Sequence, residues 1–129
     1  MGTVSDIAKF VSVYDALYAP ILLYALQPVG GNRITLVFNR EVAVDASNVK
    51  ESFTLFKDEE CTDAYSDALL NIAVDEQQET HLHLLVDVTD GCTPHTVRFS
   101  GNTGDSLVLE DKEKKLPVLA FEQTILRYD

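Results

Sequence analysis

Residues 30–42 read Gly30-Gly31-Asn32-Arg33-Ile34-Thr35-Leu36-Val37-Phe38-Asn39-Arg40-Glu41-Val42. Ile34, Leu36 and Phe38 alternate with Arg33, Thr35, Val37 and Asn39, the period-two pattern of a strand with one face in a core. The glycine pair and Asn32 before it, with Pro28 and Val29, are turn residues. Upstream, Ile21 to Gln27 is an apolar run that ends in this turn, so the two runs predict neighbouring strands.

Working outward, the same period recurs along the chain. Phe53 to Phe56 predicts a third strand, and Leu70, Ile72 and Val74 a fourth. Leu82, Leu84, Val86 and Val88 against His81, His83, Leu85 and Asp87 predict a fifth. Val97 and Phe99 mark a sixth, after the turn Asp90-Gly91-Cys92-Thr93-Pro94. Leu107 and Leu109 suggest a short extra hairpin arm, and Leu116 to Tyr128 a long closing strand. Seven to eight short strands with turns between them predict an all-β, antiparallel sandwich. No long helical pattern separates the strands, which argues against an α/β fold.

Residues 1–19 differ. Ile7, Phe10, Val11, Tyr14, Leu17 and Tyr18 fall at offsets 0, 3, 4, 7, 10 and 11, the apolar stripe of a short amphipathic α-helix. Ser5 suits its N-cap, Asp6 its first turn, and Pro20 stops it. The division is therefore an N-terminal helical extension over 1–19 and a β domain over 20–129. Six large side chains on one face must be covered, either by the domain's own surface or by a neighbouring domain or second subunit, so these six are candidate interface residues for a homo-oligomer.

The stretch from Gly30 to Val42, with Val44-Asp45-Ala46-Ser47-Asn48-Val49 and Phe53-Thr54-Leu55, resembles the opening of bacterial immunoglobulin-like domains. The turn and strand Thr89-Asp90-Gly91-Cys92-Thr93-Pro94-His95-Thr96-Val97-Arg98-Phe99-Ser100 is similar to a later motif of the same family. The resemblance covers about residues 20 to 129. It implies an immunoglobulin-like β-sandwich and a non-catalytic module, a spacer or adhesion unit of a larger cell-surface, extracellular or virion assembly. Its partners would be other domains or subunits of that assembly. In such a sandwich Cys61 follows the third strand and Cys92 precedes the sixth, at the same pole on neighbouring strands. A bridge there would close a loop of about 30 residues and contribute roughly 3 kcal/mol, and it would imply an oxidising destination.

Composition narrows the classes further. The chain has 129 residues, one domain's worth, and its 46% hydrophobic and 24% charged residues exclude a disordered chain. Ten Lys and Arg against 21 Asp and Glu leave a net charge of −11. Such a surface repels phosphate backbones and anionic lipid, so nucleic acid is not an expected partner. No apolar run approaches the roughly 18 residues that a membrane-spanning helix needs, so no membrane insertion is expected. No secretory signal opens the chain. Met1-Gly2 at the start and Tyr128-Asp129 hard against the last strand suggest a segment of a longer chain.

Few residues invite chemistry. His81 and His83 share a strand face with Asp87, and two imidazoles with a carboxylate suit zinc or copper. That face is opposite the core, where solvated polar side chains need no ligand. Cys92 and His95 lack the third member of a nucleophilic site. The acidic runs Asp58-Glu59-Glu60 with Asp63, and Glu110-Asp111 with Glu113, lack the ligand spacing of a calcium loop. No helix follows the glycine pairs to make a phosphate loop. The chain has no Trp, which weakens, without removing, the alternative of a carbohydrate- or metal-binding accessory module of a secreted enzyme. No cofactor and no enzymatic activity are expected.

Overall fold

A computed structural model of the protein describes residues 19–45, 49–89, 93–101, 108–113 and 116–129. The expected N-terminal helix, with Ile7, Phe10, Val11, Tyr14, Leu17 and Tyr18, lies outside them, as does Cys92. The described fold is all-β. In chain order the strands are β1 (Leu22–Pro28), β2 (Arg33–Phe38), β3 (Val42–Val44), β4 (Phe53–Phe56), β5 (Leu69–Val74), β6 (His81–Val86), β7 (Thr96–Phe99), β8 (Leu109–Asp111) and β9 (Phe121–Tyr128). A single 3-10 turn, Val49–Ser52, precedes β4.

Seven strands form one nearly closed sheet in the order β4-β7-β9-β1-β2-β6-β5, and β3 pairs with β8 apart from it. All pairs are antiparallel except β1 with β9, which run parallel with Ala25 beside Ile125 and Pro28 beside Tyr128. The expectation of purely antiparallel sheets is thus corrected. A parallel pair needs a long crossover, and here the whole domain lies between the two strands.

Alternation puts Ile34, Leu36 and Phe38 of β2, and Leu82, Leu84 and Val86 of β6, into the core, each at most 1% exposed. Ala25 and Ile125 meet them from β1 and β9. Four phenylalanines join β4, β7, β9 and β2: Phe99 lies 5.0 Å from Phe53 and 5.5 Å from Phe121, and Phe121 meets Phe38 edge-on at 6.2 Å. Such contacts add directional packing to the area buried.

Three expectations shift. A bulge between Leu69 and Asn71 turns Leu70 outward and leaves Leu69 against the core. The closing strand begins at Phe121, not Leu116; before it, Pro117 makes only a bridge to Glu110, since proline cannot donate to a ladder. The arm at Leu109 is more than a hairpin: Leu109 O accepts the Val118 N–H at 3.0 Å and Asp111 N–H donates to Leu116 O at 2.7 Å, while the other edge of β8 pairs with distant β3.

The turn joining β1 and β2 is closed by Gly31 N–H donating to Pro28 O at 2.9 Å, with Gly30 at φ +75°. This is the third position of a turn that demands a left-handed residue. Gly30→Val lowers stability by about 1–2 kcal/mol, whereas Gly30→Asn costs less because Asn tolerates this region. Urea unfolding of the two variants checks the order; equal midpoints for Val and Gly at this position would contradict the turn.

Candidate functional site

The polar constellation anticipated around His83 sits on the outer face of β2, β6 and β5. The strand registers place Thr35 and Ala73 on either side of His83. Asp75, two residues beyond Ala73, projects to the same face and meets the ring diagonally. His83 Nε2 lies 2.8 Å from Asp75 Oδ2, and Nδ1 lies 3.0 Å from Thr35 Oγ1. An ionised carboxylate only accepts, so Nε2 carries a proton; in the neutral ring Nδ1 then accepts the Thr35 hydroxyl. Asp75 also accepts the N–H groups of Gln77 at 2.8 Å and Gln78 at 3.0 Å, capping the turn between β5 and β6. The His83 ring, followed by these two N–H groups, holds the Asp75 carboxyl well below the usual carboxylate range.

The third residue of the expected metal set goes elsewhere. β6 ends at Val86, and Asp87 turns its carboxylate onto Thr89, accepting the N–H at 3.0 Å and the hydroxyl at 2.6 Å. Those bonds, the hydroxyl first, keep it below its ordinary pKa. His81 stands edge-on to His83 with ring centres 6.5 Å apart. Among the described residues, no group of three or more His, Cys, Asp or Glu is arranged to hold a metal ion. The carboxylate that does reach His83 is Asp75. Counting back through the six residues between β5 and β6 places it opposite His81, a signal the sequence carries once the register is known.

Cys61 lies in the turn after β4 in a left-handed conformation, φ 57°. Its Sγ approaches Glu122 Oε2 at 3.7 Å and the Glu59 carbonyl at 3.8 Å. Loss of water around the sulfur and the Glu122 charge push the thiol above its ordinary pKa. Glu122 is held in turn by Arg98, whose Nη2 and Nε lie 2.7 and 2.9 Å from its Oε1 and whose guanidinium covers the Phe56 ring at 4.7 Å. Thr93 N–H donates to Tyr65 Oη at 3.1 Å, which brings the chain before β7 to the end of the molecule that carries the turn after β4.

The acidic run at Asp58 is likewise committed to its own turn. Asp58 accepts the Thr62 hydroxyl and the N–H groups of Thr62 and Asp63, and Lys57 lies 3.8 Å from Asp63. Two open clefts flank the fourth strand's side of the molecule. One of about 490 Å³ is lined by Arg98, Phe99, Phe121 and Glu122, and one of about 400 Å³ by Phe53, Leu55, Tyr65, Asp67 and Leu69. Neither is lined by His83, Asp75 or Cys61. Among the described residues no helix is long and apolar enough to cross a membrane. Compared with known proteins, the chain matches no family model and no curated protein sequence.

Asp75 has a lower pKa folded than unfolded, so it contributes stability that is complete above the usual carboxylate range near pH 4 and fades as pH falls through it. The gap in urea midpoint between the wild type and Asp75→Asn is therefore widest near neutrality and narrows below about pH 4. A gap that stays flat from neutral to strongly acidic pH contradicts the bonded carboxylate.

Proposed function

We propose that the protein is a non-catalytic immunoglobulin-like module, a load-bearing spacer or adhesion unit of a larger cell-surface, extracellular or virion assembly, with other domains or subunits of that assembly as its partners. The observation that carries the reading is the parallel pairing of β1 with β9. Because both strands run the same way, the chain enters β1 at one pole and leaves β9 at the other. A pull between the chain ends draws the two strands in opposite directions along their length. Their ladder, extended by Val29 N–H to Tyr128 O at 2.8 Å, is then loaded in shear, with its hydrogen bonds sharing the force.

The strand order supports the sandwich. Split at β1, it gives β1-β2-β6-β5 on one side and β9-β7-β4 on the other. In chain order, with β3 and β8 set aside, these are the first, second, fifth and fourth strands against the seventh, sixth and third, an order that matches the one expected of an immunoglobulin-like sandwich. Among the described residues, His83 has both ring nitrogens occupied by Asp75 and Thr35, which supports a non-catalytic reading. A bridge between Cys61 and Cys92 belongs to the same reading and to an oxidising location.

Single-molecule pulling tests it with an internal control. Held at its first and last residues, the full chain resists to a high force and then unfolds in one step. Held at Gly30 and Asp129, which follow β1 and β9 at the same pole, it peels open bond by bond at a much lower force. Equal unfolding forces in the two geometries would refute a load-bearing role.

A further inference from the structure

We draw no further inference here: the strongest candidate, the cleft of about 400 Å³ between β4 and the start of β5 with Phe53, Leu55 and Leu69 in its lining, carries nothing, because its charged lining groups, Lys50, Glu51 and Asp67, are exposed and of mixed sign and nothing in the structure shows what covers it.

Discussion

Both edges of β1 are hydrogen-bonded, antiparallel to β2 on one side and parallel to β9 on the other. Everything else in the fold depends on that double pairing. Without β1 the main sheet falls into two three-stranded pieces, β2-β6-β5 and β9-β7-β4, each with an apolar inner face and a raw edge. With it, the sheet nearly closes and the inner faces meet. Ala25 and Ile125, neighbours across the parallel ladder, are both buried at this seam. The β1–β2 register shifts between Leu22 and Tyr24, at the start of β1 and before the residues that pair with β9. The phenylalanines carry the closure inward, since Phe38 arrives from one piece and Phe53, Phe99 and Phe121 from the other.

The polar groups outside this core are spent on structure. Asp75 joins the turn between β5 and β6 to the His83 ring, and His83 passes the connection to Thr35 on β2, so one chain of hydrogen bonds ties three strands across their outer face. Arg98 and Glu122 do the same between β7 and β9. Cross-strand pairs of this kind are individually modest and exposed ones are screened by solvent. Their effect is to fix register, and register decides which side chains face the core.

Much of this was legible in the sequence because the period of two is strict where one face is buried. Ile34, Leu36 and Phe38, and Leu82, Leu84 and Val86, point inward as their alternation says. The pattern fails where the backbone departs from regular pleating. A bulge at Leu69 and Asn71 reverses the sense of Leu70, and proline at 117 postpones the last strand to Phe121. Parallel pairing of β1 with β9 leaves no mark in either strand, since it joins residues a hundred positions apart and depends on the closure of the whole sheet. The site was half legible for the same reason. His81 and His83 share the outer face as their spacing requires, but Asp87 lies past the strand end and Asp75 reaches the ring through a hairpin register that spacing alone does not state.

Native-state hydrogen exchange, read residue by residue, tests the dependence on β1 most directly. If β1 closes the sheet, the amides of Ala25 to Gln27, Val29 and Ile125 to Tyr128 exchange together with those of Ile34 to Phe38 and Leu82 to Val86, with one free energy equal to that of global unfolding. Exchange from β1 and β9 at a much lower free energy, with β2 and β6 still protected, would contradict the account, because the rest of the sheet would then stand without the strand said to hold it together.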